Sequence, residues 1–166
     1  MKRDVKAIVK QMTLEEKAGM CSGKDFWQTR SVNRVGLPSI FLADGPHGVR
    51  AEINWNDWGY AGWTNDSCTA FPALTCLAAS WNPLLAAKYG YAIGEEARYR
   101  EKDVLLGPGV NIYRTPLNGR NFEYMGEDPY LASELCVPYI QGVQKNGVAA
   151  CVKHYALNNQ ELWRGH

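Results

Sequence analysis

Five side chains in this 166-residue chain have the type and setting to hold a ligand by charge and hydrogen bonds: Asp44, Arg50, Arg120, Lys153 and His154. Lys153 and His154 follow directly on Val148-Ala149-Ala150-Cys151-Val152, an apolar run of strand length. Such a run without polar alternation suits a strand covered on both faces, as in a parallel sheet. Polar residues at the C-terminal end of a strand of that kind line the active face of an α/β barrel. A cation and an imidazole there can orient a polar ligand; they can equally reach solvent and cap the strand end. Asp44 opens and Arg50 closes the loop D-G-P-H-G-V-R, whose two glycines and one proline make it tight and fixed. A turn aspartate with a solvated arginine fits the same residues. Arg120 lies in N-G-R-N-F-E, where a surface ion pair with Glu123, worth little in water, is the plain alternative.

The elements that must position these groups are legible in outline. Val5, Ile8, Val9 and Met12 share one face of a first helix. Thr13 and Glu16 have the spacing of a capping box for a second. A loop through Cys21 to Asn33 leads to a break at Gly36-Leu37-Pro38 and a strand over Ser39–Ala43. A long polar and aromatic loop follows, with Trp55, Trp58, Tyr60 and Trp63, which can stack on a flat ligand or plug a gap at the rim. Leu74–Ala79 is a second strand candidate. Asn82-Pro83 then caps a helix running to about Arg100. A third strand over Asp103–Leu106 enters Gly107-Pro108-Gly109. Asp128-Pro129 starts another helix, with Leu131, Leu135, Tyr139 and Gly142 on one face and Pro138 expected to kink or interrupt it. The order helix, strand, loop, strand, helix, strand, helix, strand predicts an α/β fold: a parallel sheet with its chemistry on one face.

Composition narrows the partners. A formal net charge of +1, with acids and bases interspersed, gives no case for nucleic acid or an anionic membrane. No apolar run approaches a membrane span, and the basic N-terminus lacks the apolar core of a signal peptide. Five cysteines, an odd number without CxxC spacing, suit thiols in a reducing cytoplasm. Three scattered histidines offer no metal-ligand spacing, so no metal or cofactor is expected.

Taken in order, seven motifs resemble glycoside hydrolase family 3, the family of β-glucosidases, β-xylosidases and N-acetylglucosaminidases. They are M-T-L-E-E-K-A-G-M at Met12, D-G-P-H-G-V-R at Asp44, T-A-F-P at Thr69, L-L-G-P-G-V-N-I at Leu105, G-R-N-F-E at Gly119, G-E-D-P-Y at Gly126 and K-H-Y-A-L-N-N-Q-E at Lys153. Each alone is weak; together they span nearly the whole chain. The resemblance implies roughly the first half of a (β/α)8 TIM-type barrel, with residues 1–166 as the N-terminal fragment of the barrel domain. The start is similar to cytoplasmic bacterial members. By motif position, Asp44 resembles the acid that grips two hydroxyls of the terminal non-reducing sugar, and Arg50 a further contact there. Arg120, Lys153 and His154 resemble the family's sugar-binding trio, and Arg164 an arginine near the nucleophile. The implied substrate is a β-linked oligosaccharide or an aryl or alkyl β-glycoside. Charged, bidentate partners fix hydroxyl orientation, and bonds that tighten toward an oxocarbenium ion lower the barrier.

Adjacent residues on a regular strand point to opposite faces. For Lys153 and His154 to share a cavity, the backbone must leave strand geometry, so a non-proline cis bond or bulge is expected at or just after Lys153-His154. A retaining glycosidase also needs two carboxyl groups about 5–5.5 Å apart. Glu123, Glu127, Asp128 and Glu161 lie nearest the motifs and match neither role; the nucleophile and acid/base are expected in a missing C-terminal half of the barrel and a following domain. The chain alone is then expected to be inactive, poorly stable or self-associating. A non-catalytic carbohydrate-binding fragment or pseudoenzyme is the alternative. An unrelated α/β enzyme using Lys153 as a Schiff-base nucleophile explains only one motif.

Overall fold

In the computed structural model, which describes residues 4–50 and 67–165, the chain opens on two short helices. α1 (Val5–Gln11) begins where the Asp4 carboxylate accepts from the Ala7 N–H. α2 (Leu14–Gly19) begins on the expected capping box, in which Thr13 and Glu16 satisfy each other's backbone N–H groups. Arg34 ties this corner together by donating to both Glu16 oxygens and to the Gln11 carbonyl.

β1 (Leu42–Asp44), α3 (Leu74–Ala79), α4 (Pro83–Tyr99), β2 (Val104–Leu106), α5 (Pro129–Gln144) and β3 (Ala149–Ala150) follow. The strands form one parallel sheet in the order β1-β2-β3. Its register sets Asp44 opposite Leu106 and Leu105 opposite Ala150, so the C-terminal ends of the strands lie level on one rim. Pairing continues beyond β3: the Lys153 N–H donates to the Pro108 carbonyl at 3.0 Å, and Val110 N–H to the Lys153 carbonyl at 2.8 Å. Lys153 is therefore held by the backbone before its side chain meets anything.

Ala43, Leu105 and Val148 of the sheet layer are buried against Ile93 of α4 and Leu135, Tyr139 and Val143 of α5. The two long helices approach closely because glycines face each other. A methyl group on Gly90 would collide with the Tyr139 carbonyl oxygen, and one on Gly142 with that of Ala87. The buried Tyr139 hydroxyl donates to the Pro46 carbonyl at 2.8 Å, so α5 braces the loop that leaves β1. Among the described residues no helix is long and apolar enough to cross a membrane.

One expectation is corrected. Leu74–Ala79 is a helix, which leaves three described strands rather than four. Its run contains one β-branched residue, and Leu74, Leu77 and Ala78 are buried at helical spacing. Pro138 does not interrupt α5, which is continuous over 16 residues. The buried stripe Leu135, Tyr139 and Val143 packs on both sides of it, and that packing outweighs one missing backbone bond. β1 and β3 are also shorter than expected: β1 starts at Leu42 rather than Ser39, and β3 covers only Ala149–Ala150.

Candidate functional site

At that rim lies a cavity of about 440 Å³ lined by Trp27, Asp44, Leu106, Arg120, Lys153, His154 and Arg164. Asp44 is the last residue of β1. The loop after it closes on itself: the Arg50 N–H donates to the Asp44 carbonyl at 2.9 Å, and the Gly45 N–H to the Asp44 carboxylate at 2.9 Å. Gly45 has φ +125°, and any Cβ there would strike the Gly48 carbonyl, so only glycine builds this loop. The Asp44 carboxylate accepts from the Lys153 ammonium at 2.6 Å across 109 residues of sequence.

Lys153-His154 is a non-proline cis bond, as is Tyr155-Ala156, and both Lys153 and His154 line the cavity. Asn111 clamps this turn from both sides: its Oδ1 accepts from the His154 N–H at 2.8 Å, and its Nδ2 donates to the His154 carbonyl at 3.1 Å. The His154 ring has partners on both nitrogens. Arg120 lies 2.8 Å from Nε2 and the Tyr124 hydroxyl 2.8 Å from Nδ1. A guanidinium can only donate, so Nε2 accepts and the ring proton resides on Nδ1, where Tyr124 accepts it. Burial first, then the Arg120 and Lys153 charges, lower the His154 pKa against the pull of Glu123 and Asp44. The neutral ring that the hydrogen bonds require is also the one its surroundings favour.

Below the cavity sits a residue that sequence reasoning set aside. Glu123 is 5% exposed, not a surface partner. Its Oε1 accepts from Arg120 Nε, and its Oε2 is 3.6 Å from Lys153 Nζ. The three-residue spacing to Arg120 was a legible signal; its burial was not. Tyr124 and Asn111 also carried no signal, and nor did the ring of Trp27, which is 2% exposed. On the far side Arg164 donates to Asn158 and Glu161, each at 2.7 Å, and Glu161 lies 3.7 Å from Arg120.

Five of the six sequence-selected residues thus converge: Asp44, Arg120, Lys153, His154 and Arg164. Arg50 does not line the cavity; its guanidinium lies 5.4 Å over the ring of Trp27, which does. Trp55, Trp58, Tyr60 and Trp63 lie outside the described residues. The arrangement can grip a small ligand rich in hydroxyl groups through paired donors and acceptors. Among the described residues no cluster of His, Cys, Asp or Glu is grouped to hold a metal ion.

Comparison with known proteins agrees on one family. The sequence model described as the glycosyl hydrolase family 3 N terminal domain matches residues 7–161. A beta-glucosidase of Bacteroides ovatus is 82% identical over 162 residues, covering 98% of this chain and 22% of that protein. Thermostable beta-glucosidase B of Acetivibrio thermocellus is 55% identical over 159 residues, covering 95% and 21%. Among solved structures, beta-glucosidase 3B from Thermotoga neapolitana in complex with glucose has a TM-score of 0.84 at 42% identity, over 96% of this chain and 24% of that one. The chain spans about a fifth of the length of the curated relatives it matches.

Proposed function

This chain belongs to glycoside hydrolase family 3, and from that premise we propose that its polar cavity is the sugar-binding part of a retaining β-glycosidase. The substrate is a terminal non-reducing β-D-glucosyl or related residue, in a β-linked oligosaccharide or an aryl or alkyl β-glycoside. Residues 1–166 serve as the N-terminal part of a larger barrel domain. The nucleophile and the acid/base come from segments outside these residues. The observation that carries this reading is the convergence of Asp44, Arg120, Lys153, His154 and Arg164 on one cavity from segments far apart in sequence. A pyranose offers vicinal hydroxyls that donate and accept at once, and an Asp44–Lys153 pair at 2.6 Å supplies one acceptor and one donor side by side. In this reading Asp44 and Lys153 take adjacent hydroxyls while Arg120 and His154 fix the ring's tilt. A cytoplasmic setting, supported by five free thiols, belongs to the same proposal.

The alternative of a non-catalytic carbohydrate-binding fragment also has an observation in its favour. The carboxylates of Asp44, Glu123 and Glu161 are all engaged by cations. One experiment separates the two. A chimera in which this chain replaces the matching 162 residues of the Bacteroides ovatus beta-glucosidase is assayed on a nitrophenyl β-D-glucoside. The chimera is expected to turn over, and Asp44→Ala and Lys153→Ala to lower its kcat/KM by about a hundredfold or more, the scale of a charged hydrogen bond left unmade. Parental kcat/KM in both variants would refute the sugar-binding role. The 166-residue chain by itself is expected to release no nitrophenol.

A further inference from the structure

Two of the cavity's cations share one carboxylate that the cavity itself does not expose. Glu123 ends the short turn Asn121–Glu123, immediately after Arg120 in the chain, and is buried beneath the floor. It takes Arg120 by Nε rather than by a terminal nitrogen. That choice leaves the two terminal nitrogens turned outward, one 2.8 Å from His154 Nε2 and the other toward Glu161. The second oxygen of Glu123 is 3.6 Å from Lys153 Nζ, which donates to Asp44. A buried carboxylate is tolerated only when its charge is matched. Here the match is made by both cations the sugar-binding reading needs.

We propose that Glu123 is a positioning residue: it holds Arg120 and Lys153 in register from behind and touches no substrate. Without its charge, two cations would face each other under a half-buried floor, and Lys153 would swing wholly to Asp44. The inference rests on the sugar-binding reading and adds to it a residue that acts only through others. Among the described residues Asp44 and His47 also face Lys153, and Glu161, Tyr124 and the His154 ring also face Arg120, but Glu123 is the carboxylate with an ion pair to both.

The test uses the same chimera. Glu123→Gln can still accept from Arg120 Nε but presents a neutral amide to Lys153. It is expected to lower kcat/KM by about a hundredfold. In a Lys153→Ala background the same change is expected to cost at least about tenfold less, because residues acting as a unit are not additive. Glu123→Asp, which keeps the charge, is expected to recover at least about tenfold of the loss. Additive losses, or parental kcat/KM in Glu123→Gln, overturn the proposal alone. Parental kcat/KM in Lys153→Ala overturns the sugar-binding reading and this proposal with it. Should Glu123→Gln fail to fold, Glu123→Met, a neutral variant of similar size, decides. A folded variant whose KM or kcat defect disappears in the Lys153→Ala background supports the role, and a folded variant with parental kinetics refutes it.

Discussion

His154 depends on remaining uncharged. A proton added to Nε2 would point at the Arg120 guanidinium 2.8 Å away and break that contact. His47, within the loop that follows Asp44, is pushed toward the neutral form by burial and by Lys153, against Glu123 and Asp44. Both folded-state pKa values lie below the ordinary 6.5, so as pH falls the unfolded chain takes up protons first. Stability is then complete above about pH 6.5 and declines below it. Denaturant titrations at stepped pH should reveal this slope, and His154→Gln should flatten it. An unchanged slope in His154→Gln would mean that the ring takes up its proton equally in the folded and unfolded chain. At this scale the sequence disclosed which residues carry charge but not which were buried. Lys153, His154 and Asp44 stood at strand ends and could be chosen. Glu123 looked like a surface partner because its burial is produced by α3 and the Asp44 loop, distant segments with no local trace at position 123.

Between the two long helices the decisive residues are the smallest. Gly90 and Gly142 let α4 and α5 touch backbone to backbone. Alanine is the better helix former by about 1 kcal/mol, yet Gly90→Ala is expected to destabilise the fold by about 1–3 kcal/mol, because a rigid carbonyl cannot yield. Thermal unfolding measures it; a gain in stability would mean that the helices part easily. Helices with long periodic faces and Asn-Pro or Asp-Pro starts were legible, since caps and amphipathic stripes are local. α3 was not, because a six-residue run, apolar but for Thr75, fits a buried strand or a buried helix equally well until burial is known. At Pro138 the helix runs on, because the buried Leu135, Tyr139 and Val143 hold it on both sides of the proline.

Across the molecule, apolar side chains remain outside the core. Leu84, Leu117, Tyr155, Leu157, Leu162 and Trp163 are each at least 70% exposed, and β3 is an edge strand of the described sheet. A three-stranded parallel sheet with such a margin is a template for further pairing. The 166-residue chain should therefore self-associate with rising concentration in sedimentation velocity, and the chimera should not. A monodisperse monomer for the isolated chain at high concentration would contradict this. The fold class was readable from alternation alone; the number of strands was not, since it hinged on α3.

The ion pairs around the cavity run as Asp44, Lys153, Glu123, Arg120, Glu161 and Arg164, each joined to the next by a contact of opposite sign. Three acids and three bases cancel, so these six groups carry no net charge. An uncharged ligand would reach it by diffusion and shape alone, with neither attraction nor repulsion at long range, and dissolved ions would have little to screen.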